Sequence, residues 1–177
     1  MKPRYVMILD TRRCVACSAC VIACKTENDV PPGGFRDWVV SETRGSFPML
    51  ATENRSERCN HCAFAPCIDN CPTGASYRGP GATVQIDRTK CTGCKNCISA
   101  CPYGARFVHP GGFIDKCTFC MHRGGAYTAC SRVCPTECIH FGDANDPHSE
   151  VSRLLAGRDS KTIAPEAGTS PRVFYLA

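Results

Sequence analysis

No stretch of this sequence is apolar for long enough to cross a bilayer. The opening Met1-Lys2-Pro3-Arg4 leads into an apolar run that reaches Asp10 too soon to form the core of a signal peptide. The chain is therefore expected to have no membrane span and no export signal of its own. Catalytic machinery is missing as well. There is no glycine-rich phosphate loop behind a strand, no Ser/His/Asp arrangement and no pair of carboxylates in a plausible cleft. Histidines number five (His61, His109, His122, His140, His148) and lie scattered. The chain does not read as an enzyme by itself.

Cysteine is what the sequence has instead, 17 of 177 residues, a density found in disulfide scaffolds and metal clusters. An odd count, and C-x2-C-x2-C spacing that sets thiols too close for all of them to find distant partners, decide against disulfides. Sixteen of the cysteines fall into four tight groups: Cys14, Cys17, Cys20 and Cys24; Cys59, Cys62, Cys67 and Cys71; Cys91, Cys94, Cys97 and Cys101; Cys117, Cys120, Cys130 and Cys134. An all-cysteine zinc site uses two C-x2-C pairs and has no evident use for four such groups. The third group, within CTGCKNCISACPYGA (Cys91–Ala105), brings three thiolates towards three corners of one iron–sulfur cube. Cys101 then turns away and Pro102 stops the helix. Four thiolates leave a cube no open iron for a substrate, and four cubes in so short a chain must lie close together, so the chemistry is electron transfer. Charge agrees. The formal +5 becomes about −3 once four oxidised clusters sit on sixteen thiolates, so the basic balance is no argument for a nucleic-acid partner.

Around these groups the coarse structure is legible. Arg4–Asp10 reads as a strand, and small Ala16, Ser18 and Ala19 let backbone N–H groups approach cluster sulfurs. Lys25 replaces the proline that follows the other terminal cysteines, so a helix is expected through Ala23 to Asn28 before Pro31-Pro32-Gly33-Gly34 ends it. Runs 38–44 and 49–54 suggest a β-hairpin, placed within 35–54, that docks on a neighbour. Thr83–Asp87 is a further strand, and Met121–Ala129, with Gly124-Gly125, a surface loop. A helix capped by Ser149 is expected to Leu155, then an extended stretch from Lys161 to Pro171. Arg172–Leu176 is an apolar end expected to dock, on its own domain or on another subunit. An internal repeat relates MILD-x3-Cys14 to VQID-x3-Cys91, and CPTGA at Cys71 to CPYGA at Cys101. His61 is expected to hydrogen-bond near a cluster or pack against a partner. Lys90, Lys95 and Lys116 are expected to be solvated, and the surplus Cys138 to be a buried free thiol.

Bacterial two-cluster ferredoxins carry runs similar to the third group, in which the terminal cysteine crosses to the neighbouring [4Fe–4S] cluster. That rule implies cluster A on Cys91, Cys94, Cys97 and Cys71, and cluster B on Cys59, Cys62, Cys67 and Cys101. It further implies cluster C on Cys14, Cys17, Cys20 and Cys134, and cluster D on Cys117, Cys120, Cys130 and Cys24. The opposite pairing of groups, first with second and third with fourth, stays open. The implied fold is α+β, two interleaved ferredoxin-like units: an outer one from 1–30 plus 106–140 and an inner one from 55–105. The inserted hairpin and an extended C-terminal docking tail, 141–177, complete it.

Four cysteine groups in this order, with x4 in the second and a long insert in the fourth, resemble the four-cluster iron–sulfur (B) subunit of the complex iron–sulfur molybdoenzymes. That family includes the dimethyl sulfoxide, thiosulfate and tetrathionate reductases. The segment RYVMILDTRRCVACSACVIACKTENDVPPG, the stretches CPTGASY and CPYGARFVHP, and the ending PRVFYL look most like the polysulfide reductase B subunit. All sixteen ligand positions of that family are cysteine here, Cys94 included. The resemblance implies four [4Fe-4S] clusters that relay electrons in anaerobic respiration. The partners would be a large molybdopterin catalytic subunit, which selects the substrate, and a polytopic, quinone-binding membrane subunit. It implies a peripheral place, on the outer face with export on the partner's twin-arginine signal, or on the cytoplasmic face as in some relatives. The rival reading is a free-standing soluble polyferredoxin or accessory cluster carrier. A carrier is expected to bury its own tail, whereas a subunit offers the 38–54 hairpin and Arg172–Leu176 to neighbours.

Overall fold

Strand β1 (Tyr5–Asp10) is buried on both faces, with Val6, Met7, Ile8 and Leu9 at 1% exposure or less. That is why it is continuously apolar instead of alternating. In the computed structural model, which describes residues 2–176, it lies inside a four-stranded sheet; Met1 and Ala177 lie outside the described residues. Along the chain follow α1 (Ala19–Asn28), β2 (Asp37–Ser46), β3 (Met49–Arg58), α2 (Pro66–Asp69), β4 (Ser76–Arg78), β5 (Val84–Ile86) and α3 (Asn96–Ser99). Then come β6 (Phe107–Val108), β7 (Ile114–Asp115), α4 (Ala129–Val133), β8 (Ile139–Asp143), α5 (Glu150–Gly157), β9 (Ser160–Lys161) and β10 (Val173–Leu176). The sheet order is β8-β1-β10-β9, with β8 antiparallel to β1 and β10 parallel to it, Met7 facing Val173.

The two-residue period of β1 divides the core. Met7 and Leu9 point with Val173 and Tyr175 towards the cysteine loops, while Val6 and Ile8 pack with Leu176 and Val151 of α5 on the other face. Helix α5 starts where expected: the Ser149 hydroxyl accepts from the Ser152 N–H at 3.2 Å. Strands β2 and β3 pair from Asp37–Arg58 out to Ser46–Met49, a longer ribbon than the sequence suggests, because pairing continues into a buried base of Asp37, Ser56 and Arg58. Its far end is exposed, Phe47 by 88% and Met49 by 81%.

Residues 141–176 are not extended throughout, and they dock on their own chain. They hold α5, a 3-10 turn at Pro165–Ala167 inside the stretch expected to be extended, and β10. β10 is buried on its own chain because β1 has two edges and β8 covers only one. No helix among the described residues is long and apolar enough to cross a membrane.

Candidate metal centres

All four cysteine groups enter their loops through the same backbone turn. The residue before the second cysteine has positive φ in each: Ala16 at 56°, His61 at 44°, Gly93 at 70° and Phe119 at 54°. Only glycine adopts this region freely, and at Gly93 a Cβ would also meet the Gly112 carbonyl oxygen at 2.4 Å. A second left-handed residue follows three of the terminal cysteines, in C-P-x-G at Gly74 and Gly104 and in C-P-T-E at Glu137. After Cys24 there is no such turn, and α1 runs on to Asn28. The repeated spacing is thus a repeated chain path. Helix α1 packs on α4, and α2 on α3, so the first group sits against the fourth and the second against the third.

Cys24, Cys117, Cys120 and Cys130 line one cavity around about 290 Å³ of space free of protein atoms, part of it open to solvent. Cys14, Cys17, Cys20 and Cys134 line a second of about 310 Å³, with Cys138 on the same wall. In the inner region Cys97 lies in the field of Cys91 and Cys71, and both Cys62 and Cys67 lie in that of Cys59 and Cys101. Backbone N–H groups are aimed at the sulfurs: Ile114 at Cys91 and Ser76 at Cys71, both 3.4 Å, Phe119 at Cys117, 3.4 Å, and Cys138 at Cys134, 3.3 Å. Asn28 Nδ2 reaches Cys24 and Cys120 at 3.7 and 3.9 Å. Among the described residues no three His, Cys, Asp or Glu converge on a point as ligands to one ion. Thiols ringed around a cavity suit a cluster better than a zinc ion, whose ligands must meet at a single tetrahedron.

Electrostatics tests the fit further. Burial pushes the Cys20 and Cys67 thiols up to about 11 and Cys117 to about 12, so at neutral pH a metal held by them would have to displace a proton from each. Cys71 goes the other way, because the Ser76 N–H and the Thr73 hydroxyl outweigh its burial. Three cations are buried among the thiols. Arg58 Nη1 donates to Cys130 Sγ at 3.0 Å, and its Nη2 donates to Asp37 Oδ1 at 3.2 Å. Arg106 Nη2 donates to Cys67 Sγ at 2.9 Å, and its other nitrogens have no partner. Lys116 Nζ reaches the carbonyls of Val84 and Cys117. Neither Arg106 nor Lys116 meets a carboxylate among the described residues. Buried unpaired charge is strongly unfavourable. An anionic cluster on thiolates would supply the missing countercharge, and the donor set fits it.

One expectation is corrected. Lys116 is fully buried, not solvated, whereas Lys90 and Lys95 are exposed. Of the two expectations for His61 the structure carries the hydrogen bond: fully buried beside Cys62, it accepts the Val84 N–H at Nδ1, 3.1 Å, and stacks on Phe119 with centroids 3.8 Å apart. Burial and the Lys116 charge hold its ring neutral. Its stacking partner occupies the same loop position in the fourth group, so the contact follows from the repeat. Cys138 is buried, as expected, with its sulfur 3.4 Å from Cys134 Sγ. Arg58, Arg106 and Asn28 carried no sequence signal, because arginine and asparagine outside a cysteine motif look like surface residues.

The 4Fe-4S dicluster domain family matches residues 50–144. The tetrathionate reductase B subunit of Salmonella typhimurium is 41% identical over 98% of this chain and 72% of its own length. Protein NrfC of Escherichia coli K12 is 40% identical over 98% and 80%. ArrB, the arsenate respiratory reductase iron-sulfur subunit of a Shewanella strain, is 33% identical over 98% and 96%. By the tail criterion alone the buried β10 would favour a free-standing carrier. That criterion fails, since β1 needs a second neighbour whatever the chain's assembly. The chain belongs to the 4Fe-4S dicluster family and, within it, to the iron–sulfur (B) subunits of the complex iron–sulfur molybdoenzymes, which transfer electrons and are not the catalytic subunits.

Proposed function

We propose that the sixteen cysteines hold four [4Fe-4S] clusters, paired A to D as the ferredoxin rule implies, in two interleaved units. One observation carries the pairing: each lined cavity combines three cysteines of one outer group with the last cysteine of the other, Cys134 with the first group and Cys24 with the fourth. Bound there, each cluster supplies one reversible electron step. The chain's own residues bury the sulfurs and aim N–H donors at them.

Neighbour relations support the spatial order C–D–B–A. Cys20 lies in the field of Cys130, Cys117 in that of Cys59, and Arg106 in those of Cys67 and Cys97. Among the sixteen, Cys17 of cluster C and Cys94 of cluster A are the exposed ones, so the ends of this order are also where the sulfurs reach the surface. Relatives are named as the B subunits of tetrathionate reductase and selenate reductase. On that basis one end faces a molybdopterin catalytic subunit and the other a quinone-handling membrane subunit. The protein is held peripherally at the membrane, on the outer face if the catalytic partner carries the export signal.

Anaerobically purified protein should be brown and contain about sixteen irons per chain, and Cys24→Ser should alter the signal of cluster D and no other. Colourless material, or a Cys24→Ser change in the signal that Cys14→Ser alters, would overturn the assignment. A lone chain in native membrane extract, migrating near the 19.2 kDa of the monomer, would instead favour the free-standing carrier.

A further inference from the structure

Three buried cations lie among the thiols, and they differ in what neutralises them. Arg58 has Asp37 at 3.2 Å and hydrogen-bonds Cys130. Arg106 is buried, donates to Cys67 Sγ at 2.9 Å and, among the described residues, leaves Nε and Nη1 without partners and has no carboxylate beside it. Lys116, also buried without an acid, lies in the fields of Cys59, Cys117 and Cys67. Cys67 and Cys59 belong to the same group, so both cationic side chains bear on one centre, and Lys116, whose Nζ also meets the Cys117 carbonyl at 2.8 Å, bears on the fourth group as well. The sulfurs of Cys71, Cys91 and Cys134 receive backbone N–H groups, and Cys71 and Cys134 also meet threonine hydroxyls, all uncharged donors.

Reduction adds one negative charge to a cluster. A fixed cation stabilises the reduced form more than the oxidised one, and a charge-assisted hydrogen bond to a ligand sulfur acts in the same direction. Low local dielectric strengthens both effects. Where the cation is already paired with a carboxylate, as Arg58 is, most of the effect cancels.

Given the cluster assignment proposed above, we propose that Arg106 is a positioning residue whose uncompensated guanidinium makes the centre on Cys59, Cys62, Cys67 and Cys101 the most readily reduced of the four. An electron entering from either surface then settles at an interior centre before it leaves. Lys116 reinforces the same centre, and Arg58 raises its neighbour on Cys24, Cys117, Cys120 and Cys130 by less. Arg106 lies between Cys67 and Cys97, so the centre on Cys71, Cys91, Cys94 and Cys97 shares a smaller part of its field.

The test is an anaerobic redox titration of the purified protein followed by electron paramagnetic resonance, with Cys67→Ser marking the signal of the centre in question. In the unsubstituted protein the marked signal should develop at the highest potential. Arg106→Gln, which keeps a donor and removes the charge, should weaken the reduction equilibrium of that centre about tenfold, or 59 mV for one electron. Arg106→Lys should restore most of it, and iron should stay near sixteen per chain. Should Arg106→Gln lose iron, Lys116→Met reads the same field and should shift the same signal downwards. A marked signal that is not the highest, or that stays in place in a fully loaded Arg106→Gln or Lys116→Met protein, overturns the inference. Fewer than four centres in the unsubstituted protein would overturn the cluster assignment instead.

Discussion

The outer and inner cysteine groups are built on different foundations. The first and fourth are anchored to a sheet whose strand β1 is buried on both faces, with α5 closing the far side. The second and third are tied by helices of four residues, α2 and α3, and by paired strands of two or three, β4–β5 and β6–β7. The buried apolar cluster between them consists of Cys62, Ala65, Cys67, Val84, Cys97 and Ile114, in which three of six members are thiols. A half whose small interior is half thiol has little to hold it if no metal is bound, whereas the outer half has the larger core, with Met7, Leu9, Phe119, Ile139, Val173 and Tyr175 in it. Duplication of a cysteine pattern therefore does not imply duplication of what holds the pattern in place.

Removing the iron should separate the halves most sharply. Chelation under reducing conditions should abolish amide-exchange protection across 59–116 while β1, β8 and β10 keep theirs; uniform loss throughout the chain would show the comparison to be wrong. The next largest effect concerns the link between them. Arg36 grips Asp115 through two bonds of 2.8 and 2.9 Å, both side chains buried, and so ties the base of the ribbon to β7. Arg36→Met leaves Asp115 buried and unpaired and should cost about 3–5 kcal/mol, seen as a lower denaturation midpoint together with loss of inner-group iron. Leu176→Ala should cost about 2–5 kcal/mol but leave the iron content of the inner groups intact, because Leu176 packs with Val6, Ile8 and Val151. The smallest effect is in acid. The Arg158 guanidinium, 2.5 Å from Asp10, lowers that carboxyl below its ordinary 3.8. This contribution is complete above pH 3.8 and is lost as pH falls through the depressed value. Asp10→Asn should therefore lower stability slightly near neutrality, leave it unchanged in strong acid, and so flatten the acid limb of a stability–pH curve.

How much was legible follows the same division. The strand ending at Asp10, the helix through Asn28 and the Ser149 cap all rest on local chemistry, and the structure carries all three. The cysteine spacing pointed to metal because thiol positions are local too. The destination of Arg172–Leu176 was open, since an apolar strand shows that it must be covered and not by what. Burial of Lys116 and Arg106 was invisible. Their environment is made by Cys59, Cys67 and Cys117 arriving from other loops. His61 offered more than was taken from it: its place before the second cysteine of its group is the place Phe119 holds in another, and both side chains turn inward and stack.

In the proposed series the exposed sulfurs, Cys17 and Cys94, set where the molecule is fragile. Dioxygen attacks a cluster through whatever part of it water can touch. Damage in air would thus begin at the two termini of the series, and the interior pair would be the last to bleach.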